Sequence, residues 1–279
     1  MGLFRIGCLQ LEINGSDNFV QIETEVRSAK SVFTKLDMVV CGELATYGVD
    51  MTRAEEMPGS TEARYCDLAR ELGIWLIPGS LFEKAGDSYY NTAPVIDPSG
   101  QVVTRYRKMF PWYPFESHTT AGEDFVVFDV PGTGRIGLSI CYDSSFPEVS
   151  RGLAWLGAEA IINVTATYTH DRNIENVMSQ AHAYANHCYV LDVCNSGKLG
   201  NGRSIMVGPD GEVLYQAGAS HEVIPMAIDF ERARTARQEG AYGLSPHLTN
   251  LAQSKVKFPQ FGGRQIAAGP ASRTKASRD

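Results

Sequence analysis

Strand-like and helix-like stretches alternate along almost the whole chain, in two halves that resemble one another. Short apolar runs predict strands at residues 5–9, 38–41, 75–77, 92–96, 126–130, 136–141, 160–164, 189–194, 204–207 and 223–228. Helical patterning predicts helices at residues 18–36, 61–72, 147–156 and 174–186. Such alternation favours an α/β fold. Arg5-Ile6-Gly7 recurs as Arg135-Ile136-Gly137, and the stretch from Asp37 to Val40, leading to Glu43, recurs from Glu159 to Ile162, leading to Thr165. Pro98-Ser99-Gly100 recurs as Pro209-Asp210-Gly211, so the three offsets are 130, 122 and 111 residues. They fall in chain order, as they do when a second copy has shorter loops. A period this long excludes a solenoid. Two sheets from similar halves, packed face to face with helices outside, satisfy the pattern.

The 279 residues suffice for one large domain or two modest ones, and a net charge of -7 disfavours a nucleic-acid partner. Arg264, Arg273, Lys275 and Arg278 gather in a Gly-, Ala- and Ser-rich tail that reads as a solvated segment. No stretch approaches the ~18 apolar residues of a membrane span, and no basic-then-apolar leader opens the chain, so a cytoplasmic protein is expected. Cys8, Cys41, Cys66, Cys141, Cys188 and Cys194 then read as reduced thiols. Without a CxxC pair, no structural zinc site is indicated.

Several motifs have bland explanations. Gly132-Thr133-Gly134-Arg135-Ile136-Gly137 fits GxGxxG, but it lies between two predicted strands and not between a strand and a helix, so it reads as a hairpin turn. His182 and His187 are five residues apart and diverge by roughly 140° on a helix, which suits packing better than metal ligation. The sequon at Asn163-Val164-Thr165 falls at the end of a core strand and reads as chance.

Cys141 closes an apolar run, and Phe146-Pro147-Glu148 follows as a helix start with proline in its first turn. The thiol therefore sits where a strand hands over to a helix, a place where α/β folds bind ligands. Free cysteine is also among the most buried residue types, so a structural reading stands beside the nucleophilic one. A nucleophile needs a base, and Glu43 leaves the strand 38–41 through Gly42 much as Cys141 leaves its own. Glu43 reads either as that base or as a helix cap. Lys108, in Tyr106-Arg107-Lys108-Met109-Phe110, reads either as a snorkelling lysine or as a fixed charge for an oxyanion. Glu116 follows on the same loop.

Glu43, Lys108 and Cys141, in this order and 65 and 33 residues apart, resemble the Glu-Lys-Cys set of the nitrilase superfamily of carbon–nitrogen hydrolases. The flanks agree at Asn91-Thr92-Ala93, Tyr106-Arg107-Lys108, Cys141-Tyr142-Asp143, Phe146-Pro147-Glu148 and Asn195-Ser196-Gly197, and the resemblance covers roughly residues 3–230. Gly42 and Met109-Phe110 depart from the Pro before the glutamate and the His-Leu after the lysine that many members carry. These departures bear on pocket shape, since no catalytic group is replaced. The resemblance implies a four-layer αββα sandwich with internal pseudo-two-fold symmetry, and a homodimer or larger assembly. It divides the chain into a hydrolase domain, 1–245, and a C-terminal arm, 246–279, that reaches onto a partner subunit.

The resemblance also implies a chemistry. Glu43 takes the thiol proton, Cys141 attacks the carbonyl, and Lys108 with the Tyr142 N–H holds the oxyanion. Glu116 bonds to the lysine, and neither metal nor organic cofactor takes part. Cys-Tyr-Asp resembles the amidase branch more than the nitrilases. Omega-amidase-like members carry an arginine where this chain has Ser144 and Ser145, so a small neutral amide is expected. Tyr47, Trp112, Tyr142, Phe146, Thr165 and Ala166 are the expected pocket walls. A nitrilase or N-carbamoyl amidohydrolase on the same set is the alternative, and a non-catalytic scaffold is the rival of another class.

Overall fold

The computed structural model describes residues 2–259. The first half runs β1 (Phe4–Gln10), β2 (Glu12–Ile13), α1 (Phe19–Val32), β3 (Met38–Cys41), α2 (Ser60–Leu72), β4 (Trp75–Ile77), β5 (Leu81–Ala85), β6 (Ser88–Ile96) and β7 (Val102–Arg107). The second runs β8 (Val126–Val130), β9 (Gly134–Ile140), α3 (Pro147–Trp155), β10 (Ala160–Thr165), α4 (Arg172–Asn186), β11 (Tyr189–Cys194), β12 (Ser196–Gly197), β13 (Ile205–Val207) and β14 (Val213–Gln216). β15 (Glu222–Ile228), α5 (Phe230–Glu239) and α6 (His247–Gln253) complete it.

Apolar side chains on both faces of the central strands require cover on both sides. In β1, Phe4, Ile6 and Cys8 enter one core while Leu9 enters another. In β3, Met38 and Val40 alternate in the same way with Val39 and Cys41. β9, β10 and β11 repeat the pattern, sending Ile136, Leu138, Ile162 and Leu191 into the first core and Ile161 and Val190 into a third. The first core is shared by both sheets. The second joins one sheet to α1 and α2 through Phe19, Ile22, Val26 and Leu68, and the third joins the other sheet to Val149 and Leu153 of α3 and Ala183 of α4. The layers therefore run helix, sheet, sheet, helix.

The two sheets have matching topology. One is ordered β15-β1-β3-β4-β6-β5, with β7 also on β6, and the other β14-β13-β11-β10-β9-β8. β1, β3 and β4 are mutually parallel, as are β9, β10 and β11, and antiparallel strands flank each trio. The sequence repeats fall on equivalent strands, and with them a repeated contact. The Asp37 carboxylate accepts from Arg5 N at 2.8 Å, and the Glu159 carboxylate accepts from Arg135 N at 2.9 Å.

Differences from expectation lie at ends and edges. α1 stops at Val32 and not at 36, because a turn in which Leu36 N bonds Phe33 O drops Leu36 under Gly7 of β1. The GxGxxG segment, by contrast, is the expected hairpin, joining β8 and β9 with Val130 paired to Gly134. Asn163 is buried and donates to Asp192 at 2.9 Å, and buried His182 bonds the Ser144 carbonyl. Within the proposed arm, α6 seats His247 on His187 of its own chain, ring centroids 4.5 Å apart. Residues 260–279, and the basic cluster with them, lie outside the described residues. Among the described residues, no helix is long and apolar enough to cross a membrane, and no cluster of His, Cys, Asp or Glu is arranged to hold a metal ion.

Candidate active site

β9 ends at Ile140, and the next residue, Cys141, has φ +46°, a left-handed conformation that non-glycine residues avoid at a cost of about 1–3 kcal/mol. The fold pins this turn with Asp143. Its carboxylate accepts from Tyr106 OH at 2.6 Å, from Ile140 N at 2.9 Å and from Phe110 N at 2.9 Å. Burial pushes the Asp143 carboxyl up to about 6 against those three hydrogen bonds and the Lys108 charge, which pull it down. Cys141–Ser145 then form a 3₁₀ turn, and Pro147 opens α3. The first N–H groups of such a turn lack partners within it, and the Tyr142 N–H is one of them.

Glu43 stands just beyond β3. Its N–H reaches the Thr165 carbonyl at 3.2 Å and its carbonyl accepts from Asn195 Nδ2 at 2.7 Å, tying the turn to the second half of the molecule. Gly42 is required by that contact, because a methyl there would run into Asn195 Oδ1 and come within 2.9 Å of Thr165 O. Lys108 follows β7 and is buried. Its ammonium bonds Glu43 Oε1 at 2.8 Å and Glu116 Oε2 at 2.6 Å. Asn91 Nδ2 bridges the same carboxylates at 2.8 and 2.9 Å, and Trp112 N donates to Glu116 at 2.7 Å.

Burial raises the Glu43 carboxyl above its ordinary range. Lys108 and a hydrogen bond to Cys141 oppose the rise, and Glu116 adds to it. The Cys141 thiol is likewise raised by burial and by the Glu43 charge, while Lys108 and a hydrogen bond to Thr165 favour the thiolate. Burial works against the Lys108 charge, but Glu43, Cys141 and Glu116 together hold its pKa above the usual lysine value. A buried carboxyl thus lies beside a buried thiol, next to a lysine that its neighbours hold in the charged form. That arrangement suits nucleophilic attack on a carbonyl followed by proton return to a leaving group.

These groups open into a cavity of about 320 Å³. Of the expected walls, Trp112, Tyr142 and Ala166 line it, whereas Tyr47, Phe146 and Thr165 do not. Tyr47 turns away to bond Thr61 at 2.8 Å beneath Arg53, and Phe146 stacks on Phe110, centroids 3.8 Å apart, behind Tyr142. Thr165 is fully buried one layer back, bonded to Thr167. Thr167 and Glu175, with no motif to mark them, do reach the cavity, as do Phe115, Tyr168 and His118. Asn91 was visible only as part of a flanking motif. Trp112, Phe115 and Tyr168 form an aromatic cluster on the wall.

Fold and site together define a hydrolase with a cysteine centre. The chain belongs to the carbon–nitrogen hydrolase family, whose pattern matches residues 5–238. A formamidase of Bacillus cereus (strain B4264) is 30% identical over 244 residues, covering 83% of this chain and 73% of that protein. The omega-amidase NIT2 of Homo sapiens is 28% identical over 262 residues, covering 86% and 93%. In structure the chain resembles Saccharomyces cerevisiae Nit3, a member of branch 10 of the nitrilase superfamily, with a TM-score of 0.78 at 25% identity over 85% of this chain and 94% of that one.

Proposed function

We propose that the protein hydrolyses the C–N bond of a small amide through a thioester on Cys141, with Glu43 as acid and base, Lys108 as oxyanion partner and Glu116 as orienting carboxylate. The observation that carries this reading is the convergence of Cys141, Glu43 and Lys108 on one cavity, with Lys108 held between two carboxylates. Glu43 accepts the thiol proton as the sulfur attacks the carbonyl. The oxyanion forms beside the Lys108 ammonium and the Tyr142 N–H. Its collapse expels the amine, which takes the proton from Glu43, and leaves the thioester. Water, deprotonated by the same glutamate, then releases the carboxylic acid.

A cavity of about 320 Å³ lies at the small end of ligand sites, which favours a short substrate. Ser144 and Ser145 offer no cation to a substrate carboxylate, and the formamidase relatives support a substrate without one. We place residues 1–245 as the hydrolase domain and 246–279 as an arm, in a cytoplasmic homo-oligomer whose size light scattering measures. The central test is intact-mass detection of an acyl adduct on Cys141 across amides, nitriles and N-carbamoyl compounds. The Glu43→Gln variant, which lacks the acid and base of both steps, is expected to form the adduct and turn over far more slowly than the native protein, and Cys141→Ala to show neither adduct nor turnover. Turnover of nitriles with inert amides would replace the amide reading, and absence of any adduct would overturn the mechanism.

A further inference from the structure

Glu175, in the first turn of α4, lies on the cavity wall with Cys141 and is separated from the sulfur by one hydroxyl. Thr167 Oγ1 is 3.7 Å from Cys141 Sγ and donates to Glu175 Oε1 at 3.0 Å. The other oxygen, Oε2, accepts from Arg172 Nη1 at 3.0 Å. That guanidinium is not devoted to Glu175, because its Nη2 bonds Asp192 Oδ1 at 2.6 Å. One cation therefore serves two carboxylates. Asp192 is wholly buried and takes further hydrogen bonds from Asn163 and Ser179, whereas the Glu175 side chain keeps 15% exposure. The surplus negative charge thus faces the cavity.

The arrangement is repeated by Lys108, the single cation between Glu43 and Glu116. The other charged residues on the wall, Asp171 and Lys198, are solvent-exposed, where water and salt screen them. Burial holds the Glu175 carboxyl above its ordinary range, with Arg172 opposing and Asp192 adding to the rise. A partly desolvated carboxylate beside a nucleophile discriminates strongly by charge.

We infer that Glu175 is a specificity-determining residue that accepts a hydrogen bond from an ammonium or N–H group on the substrate and repels substrates bearing a carboxylate. The inference rests on the amide-hydrolase reading and narrows it to amides with a second, donor-bearing end. The test uses three amides of similar size: β-alaninamide, butyramide and succinamate, which end in an ammonium, a methyl and a carboxylate. With the native enzyme, kcat/KM is expected to fall in that order by about tenfold at each step. Glu175→Gln is expected to compress the span between the charged pair by about tenfold or more, a ratio that does not depend on the amount of active protein. Propylammonium is expected to inhibit native butyramide hydrolysis more strongly than propionate, which tests the inference even where the variant does not fold. Butyramide turnover with succinamate equal to or better than β-alaninamide would overturn this inference alone. Turnover of none of the three would remove the amide reading and the inference with it.

Discussion

Between Glu43 and Glu116 a single ammonium holds two carboxylates, and this sets how the site responds to pH. Burial, with the Glu116 charge adding to it, raises Glu43. Glu43 must be ionised to accept the thiol proton, so kcat/KM is expected to fall as pH drops through that raised value. Glu116→Gln removes one source of the rise and leaves Lys108 to Glu43 alone. The acid limb of a kcat/KM profile should then move to lower pH, alongside a reduced maximum. A limb that stays in place would show that another group governs it. Cys141 and Glu43 were legible in the sequence because each lies within two residues of the end of a parallel strand, where such ends converge. Lys108 follows the antiparallel edge strand β7 and was legible through its apolar neighbours and the family resemblance. Thr167 and Glu175 were not, because their reach depends on how the segment after β10 folds back over the sulfur. Tyr47 and Phe146 miss the cavity because proximity in sequence to Glu43 or Cys141 does not decide which way a side chain turns, and Thr165 is kept off the wall because it ends β10 fully buried beneath Thr167.

At the scale of elements, the central strands were read closely because burial on both faces leaves an uninterrupted apolar run. β5, β7 and β14 were missed. β14 exposes all four of its residues, and β5 and β7 carry Glu83, Lys84, Arg105 and Arg107 along a partly solvated edge, so hydropathy marks none of them clearly. α5 escaped notice because charged residues dominate it and only Phe230, Ala233 and Ala236 are buried. The strand-exit turn at Gly42 is an element whose tolerance can be measured. Gly42→Ala pushes the new methyl against Asn195 and Thr165, and the turn must shift to make room. We expect about 1–3 kcal/mol of destabilisation by urea unfolding. Turnover should fall about 100-fold, since displacement of a catalytic group by about an ångström has effects of that order. Unchanged kcat would mean that Glu43 does not depend on this contact.

For the molecule as a whole, the catalytic candidates come from both halves. Glu43, Lys108 and Glu116 belong to the first, Cys141 and Glu175 to the second, and the core between the sheets fixes their relation. Ile162 lies fully buried in that core, away from the cavity. Ile162→Ala is expected to cost about 2–5 kcal/mol. Activity and circular dichroism should be lost together in urea, at a lower midpoint than in the native protein. Separate transitions would mean that the halves unfold independently. The left-handed backbone at Cys141 has one more consequence. Glycine adopts that geometry freely, so Cys141→Gly should relieve strain while removing the nucleophile. We expect an inert protein whose Tm is about 2–4 °C above that of the active one. The residue that best suits the backbone at this position is one that abolishes the chemistry, so selection for thermal robustness alone would drive this chain away from being an enzyme.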